Sequence, residues 1–220
     1  MPLQAMTNPA EAASLIARLH DIPEVIGGLV PRGFPAYARV FAPISDGADK
    51  ENKTLTWEAL SLSVGLRLNA ETPWSAFSTE TRTALQPLMG SLGPAASHLL
   101  AQTLLPHTAT TSDCFFALWV GYGGIKIPSG ASLMTFPPDR EMIVFNGDLA
   151  FADENFEEEP FARQSTRWWP ASKEWCVAGD IYSTSAVVGG SLAAIEAVRA
   201  TQGLEVLSLS EDSSLRVEDL

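Results

Sequence analysis

The sequence predicts an α+β protein, with one mostly antiparallel sheet of about five strands flanked by three or four helices. Three observations carry this. Helical patterns gather in the first half of the chain and strand patterns in the second. The strands are not separated by regularly spaced helices, so a doubly wound parallel sheet is not indicated. The most apolar run, "CFFALWV" at 114–120, is too short for a core helix and rich in aromatics, so it reads as a buried central strand.

In chain order, the first helix is punctuated by Asn8 as N-cap, Pro9 at the first helical position and Glu11 three residues on. Ala12, Leu15, Ile16 and Leu19 form its apolar stripe, and Pro23 sets its end near His20 and Asp21. "AYARVFAPI" alternates as a strand, with Tyr37, Arg39 and Phe41 on one face and Ala36, Ala38 and Val40 on the other. "SDGADKENK" is a polar loop, and Thr56 caps a helix carrying Trp57, Leu60 and Val64. Residues 69–82 read as irregular. "PAASHLLAQTLL" is a helix opened by Pro94 and closed before Pro106. "EMIVFNGD" is a strand ending in an Asn-Gly turn, and "ADENFEEEP" an acidic loop. "EWCVAGDI" is a third strand, with "YSTSAVV" as its continuation. Gly189 and Gly190 lead to Ser191, which opens a last helix that Gly203 stops. "LEVLSLS" is a short final strand, and 210–220 a frayed polar tail. Neither a repeat nor a convincing linker divides the chain, so 1–220 reads as a single globular domain.

The totals narrow the functions. A net charge of −12 repels phosphate backbones and anionic membrane surfaces, which argues against nucleic-acid and membrane partners. No run approaches the roughly 18 apolar residues of a membrane helix, and the first residues lack a signal-peptide pattern. With two cysteines in apolar stretches, Cys114 and Cys176, the expected compartment is a reducing cytoplasm.

The chemistry-bearing residues are sparse. His20, His98 and His107 are scattered without metal-ligand spacing, so neither metal nor cofactor is expected. Both thiols sit where burial makes sulfur inert. On one continuous strand, Glu174 and Asp180 would lie roughly 20 Å apart, too far for an acid/base pair. "VVGGS" is the better of two weak anion-binding leads, and a turn plus a helix cap explains it more simply. The aromatics remain. Trp168 and Trp169 point to opposite sides of an extended segment, because Pro170 keeps Trp169 extended. One ring is then expected in the core and the other toward water or a partner. Trp119, Tyr122 and Tyr37, with Arg39, are expected to join it across the sheet.

Several stretches also carry a family resemblance: "HDIPEVIGGLVPRGFPAYARVFAPI", "TWEAL", "LLPHTATTSDCFFALWVGYGG", "IVFNGDL" and "RWWPASKEWCVAGDIYSTSAVVGGS". In this order they resemble an uncharacterised actinobacterial protein family of unknown function, over about residues 20 to 200. Val120 and Gly179 stand where that group leads one to expect acids. The resemblance implies one domain in a bacterial cytosol and brings no reaction with it.

The sequence therefore points first to a cytoplasmic binding or interaction protein. Its expected surface comprises Tyr37, Arg39, Trp119, Tyr122, Trp168, Trp169, Glu174, Trp175 and Asp180, and its partner is a protein or small molecule of unknown identity. The alternative is a small-molecule enzyme with a pocket near Tyr37, Arg39, Trp119 and Trp175, using Glu174 or Asp180 as acid or base. A homo-oligomeric structural subunit is a third reading.

Overall fold

A nine-stranded antiparallel sheet organises the chain. The computed structural model describes residues 2–19, 26–45, 54–137, 139–157 and 163–215. The strands are β1 (Gln4–Ala5), β2 (Ala36–Phe41), β3 (Ile44–Ser45), β4 (Gln86–Pro87), β5 (Cys114–Trp119) and β6 (Leu133–Phe136). They continue with β7 (Arg140–Gly147), β8 (Arg167–Pro170), β9 (Cys176–Ala178), β10 (Ser185–Gly190) and β11 (Glu205–Leu209). Among the described residues five α-helices accompany them: α1 (Ala10–Ile16), α2 (Trp57–Ser63), α3 (Thr79–Ala84), α4 (Pro94–Leu104) and α5 (Leu192–Ala200). The main sheet runs β1-β7-β5-β8-β9-β10-β2-β11, with β6 beside β1 on the outer edge of β7; β3 and β4 pair separately.

The mixed class and antiparallel pairing agree with the expectation, while the counts of strands and helices exceed it. Two misreadings explain much of the excess. "EWCVAGDIYSTSAVV" is a hairpin: β9 and β10 are joined through a turn at 180–183, and Ser183 N–H donates to the Asp180 carbonyl there. Residues 79–84 form α3, because the Ser78 hydroxyl accepts from Thr81 N–H and caps a helix with no apolar stripe to announce it. The Asn-Gly turn expected at 146–147 is absent. Both residues are paired inside the sheet, Asn146 with Phe115 and Gly147 with Cys114.

Helix punctuation follows local chemistry. The Thr56 hydroxyl accepts from Ala59 N–H and the Ser191 hydroxyl from Ala194 N–H, as expected of caps. In α1 the cap position falls on Pro9, and Asn8 accepts from Ala10 N–H. That helix stops at Ile16, earlier than expected; His20 and Asp21 lie outside the described residues. Val64 was expected inward and is half exposed. The polar tail turns back at 210–215 and buries Leu215, while 216–220 and most of the loops at 45–54 and 157–163 lie outside the described residues.

The sheet is covered on both faces. On one, Val40, Phe116, Trp168, Val177 and Val188 pack beneath Leu100 and Leu104 of α4 and Ile195 and Val198 of α5. On the other, Phe115, Val144, Trp169, Cys176 and Val187 meet Ala12 and Leu15 of α1 with Ile26, Leu29 and Val30. Two covered faces explain why the central strands read as apolar runs. A buried aromatic removes roughly 150–250 Å² from water, worth about 4–6 kcal/mol, so Phe115, Phe116, Trp168 and Trp169 dominate this centre.

Candidate functional site

Alternation along β8 sends Trp168 and Trp169 to opposite faces, as expected. The expectation that one ring faces water is corrected, because the sheet has a hydrophobic layer on each side. Trp168 lies edge-on to Trp175 at 5.4 Å between ring centroids, and Trp169 lies 5.7 Å from Phe115. Both indoles are buried.

The other expected site residues divide between the two ends of the sheet. Tyr37 is buried at one end, where its hydroxyl donates to the Pro31 carbonyl and accepts from Phe34 N–H; burial raises its pKa. Trp175 donates from Nε1 to the Thr108 hydroxyl. Glu174 ties loops together, accepting from Ala109 N–H and from the Ser172 hydroxyl. These groups are engaged in holding loops.

Arg39 is also corrected from surface to core. It is fully buried, donating to Ser185 Oγ and to the carbonyls of Ala70 and Thr72, with its guanidinium 4.5 Å from the Phe41 ring centre. Arg167, which the sequence reading missed, is its counterpart on the same face. It donates to the carbonyls of Gly28, Leu29 and Pro137, and its neighbours in register are Ala117 and Ala178. Those alanines make room for its stem. Burial lowers its pKa to about 10, which leaves it charged at neutral pH.

The remaining candidates meet at the opposite end, where β5 and β9 finish and β7, β8 and β10 begin. Asp180 is fully buried and held by Arg140, with Nε to Oδ2 at 3.1 Å and Nη2 to Oδ1 at 3.3 Å. Tyr182 N–H also donates to Asp180, and Asp180 N–H to Ser183 Oγ. Trp119 packs edge-on against Tyr122 at 5.0 Å. Arg163 stands over the Tyr122 ring at 4.5 Å and pairs with Glu157 at 3.4 Å. Burial drives the Tyr122 pKa up to about 12, against the opposing pull of Arg163.

At this end is a small cleft of mixed, mainly apolar lining, walled by Gly90, Ser97, Thr166, Trp168, Val177, Asp180 and neighbours. About 10 Å³ of it is open to the centre of a water molecule, room for one water. The Thr166 hydroxyl in its wall is buried, with no hydrogen-bond partner among the described residues. Ser97 Oγ reaches Gln164 Oε1 only at 3.5 Å. Gly90 closes the cleft. Its N–H donates to the Ser183 carbonyl at 2.8 Å, and a Cβ there would stand 2.9 Å from the Ile181 carbonyl oxygen. Met89 (55%) and Tyr182 (56%) are exposed beside that hydrogen bond. Of this site, Asp180, Tyr122 and Trp119 were legible in the sequence; Arg140, Thr166, Met89 and Tyr182 carried no signal there.

Elsewhere the chemistry is occupied or quiet. Cys114 and Cys176 are free, buried on opposite faces of the sheet, with burial pushing both thiols up to about 12. Among the described residues no group of three or more His, Cys, Asp or Glu side chains could hold a metal ion. His98 is exposed between Asp153 and Gln102. The turn expected at "VVGGS" is corrected: Gly189 and Gly190 are the last residues of β10, paired with Tyr37 and Ala36, and Phe34, Tyr37 and Trp175 fill the space beside them. No helix among the described residues is long and apolar enough to cross a membrane. No family model, curated protein or solved structure matches the chain.

Proposed function

We propose that this chain is a non-enzymatic binding protein whose ligand enters the small cleft at the Asp180 end of the sheet. The observation that carries the reading is Thr166: a buried residue whose hydroxyl has no partner among the described residues, in the wall of a small cavity that Asp180 also lines. Leaving such a group unsatisfied costs about 1–3 kcal/mol, a cost that a polar group entering the cleft relieves. Met89, next in the chain to Gly90, and Tyr182, two residues past Asp180, are exposed and supply apolar contact area, the usual complement to a few polar groups within. Of the surface expected from the sequence, this reading keeps Asp180, with Trp119 and Tyr122 packed together at the same end of the sheet.

Binding is favoured over catalysis by how the reactive groups are engaged. Asp180 is bridged on both oxygens by Arg140, Glu174 is tied to the Ala109 loop, and both thiols are held protonated. The acidic net charge of −12 supports a ligand other than nucleic acid, and two unpaired thiols support a reducing cytoplasm.

The test is native mass spectrometry of the full chain purified from native lysate, beside a Tyr182→Ala, Met89→Ser double variant. A retained small-molecule mass that the variant loses supports the reading. Equal retention by both proteins moves the site elsewhere. If neither retains a mass, and a cell extract does not raise the unfolding temperature, the binding reading fails.

A further inference from the structure

From the chemistry of the cleft we infer that its ligand is an uncharged, hydroxyl-bearing molecule of the polyol or sugar type. One hydroxyl enters between Thr166 and Asp180, and the carbon face of the molecule lies on Tyr182. This rests on the binding reading above and names its ligand class.

Charge balance comes first. The fully buried Asp180 is already matched by Arg140 in a two-bond pair, and Arg163 at the rim is matched by Glu157. Among the described residues, a charged group entering the cleft finds no counter-ion lining it other than the paired Asp180, and it would bear its own desolvation cost. A neutral group avoids both.

Hydrogen-bonding capacity comes second. Thr166 Oγ1 can donate once and accept twice, and no described group engages it. Asp180 Oδ2 accepts from Arg140 Nε, and a carboxylate oxygen has a second lone pair. The Thr166 hydroxyl therefore offers by itself a donor together with acceptors, which is the complement of a hydroxyl. Amines lack the acceptor and carboxylates lack the donor.

Size and access complete the argument. The space suits one water-sized group, so only the tip of a ligand enters and the remainder lies at the mouth. Two residues past Asp180, exposed Tyr182 has the Arg140 guanidinium 5.5 Å from its ring centre, and Met89, next to Gly90 in the chain, is exposed too. Gly90 and Gly93, both at φ 81°, bracket the short wall segment, and glycine is the residue that adopts this conformation without strain.

The experiment is amide NMR titration of the full chain with glycerol, erythritol and D-glucose, compared with glucosamine and glucuronate. The expected result is saturable shifts at Gly90, Thr166 and Tyr182 with the neutral probes, at millimolar affinity. The charged analogues should bind about 10-fold more weakly or not at all, consistent with the cost of an unpaired buried charge. Thr166→Val should weaken the neutral probes about 10-fold, the scale of one buried hydrogen bond, while leaving the unliganded protein at least as stable. Tighter binding of a charged analogue at the same residues overturns the ligand class and leaves the binding reading standing. Shifts that do not saturate, or that survive Thr166→Val unchanged, overturn the inference. If no probe binds there and the lysate test also fails, both fall together.

Discussion

Replacing Arg167 with methionine should destabilise the protein by about 3–5 kcal/mol, because three backbone carbonyls lose a buried donor at about 1–3 kcal/mol each. Methionine keeps much of the stem's volume between Ala117 and Ala178, so cavity formation is minor. What is lost is three charge-assisted hydrogen bonds: to Leu29 at 3.0 Å, Gly28 at 3.3 Å and Pro137 at 2.8 Å. At about 1.5–3 kcal/mol each these sum to more than the net effect, because burying the guanidinium has its own cost. Its lowered pKa reflects that cost. For a chain of this size the change should lower Tm by roughly 10 °C. Calorimetry measures it, and hydrogen exchange localises it: the Leu29 and Val30 amides, bonded to Ile26, should exchange faster in the variant. An unchanged or raised Tm would refute the reasoning, since it would mean that the desolvation cost exceeds the value of the three bonds.

Other expectations follow from the same structure. Glu205 accepts from Trp57 N–H and Glu58 N–H, both at 2.6 Å, yet burial raises its pKa above the usual carboxylate value. The folded state thus holds this proton longer than the unfolded chain. Its contribution is full below about pH 4.3 and falls as pH rises through the folded value. Glu205→Gln should flatten that part of a stability–pH curve, and an unaltered slope would exclude Glu205 as its source. Gly90→Ala and Gly33→Ala both place a side chain at positive φ, but only Gly90 also meets a carbonyl within 2.9 Å. Gly33→Ala should therefore cost about 1–2 kcal/mol and Gly90→Ala clearly more; equal losses in chemical denaturation would deny the close approach. Native protein should leave a thiol reagent unreacted at pH 8 and consume two equivalents once unfolded, because both thiols are buried and protonated. Rapid native labelling would contradict that placement.

Legibility in the sequence followed the range of the interactions. Thr56, Pro94 and Ser191 announce their helices because a cap or a first-turn proline acts within a few residues. "AYARVF" and "CFFALW" announce strands because they pair as continuous runs. Short strands such as Gln4–Ala5 carry too few residues for a pattern, and β6 exists because the edge of β7 is available to it. The site was the hardest part to read. Arg140 and Asp180 are forty residues apart in the chain, and Thr166 resembles any other threonine until its neighbours are known.

What the sequence determined by itself is the class of the fold, its acidic character, the alternation of Trp168 and Trp169 and the inertness of the thiols. Each follows from composition or from a period of a few residues. Only the tertiary structure decided that both faces of the sheet are covered. That places Arg39 and both tryptophans inside and leaves the loops at the Asp180 end as the candidate site. The reason is physical: burial depends on which segments pack over a residue, and those segments come from distant parts of the chain.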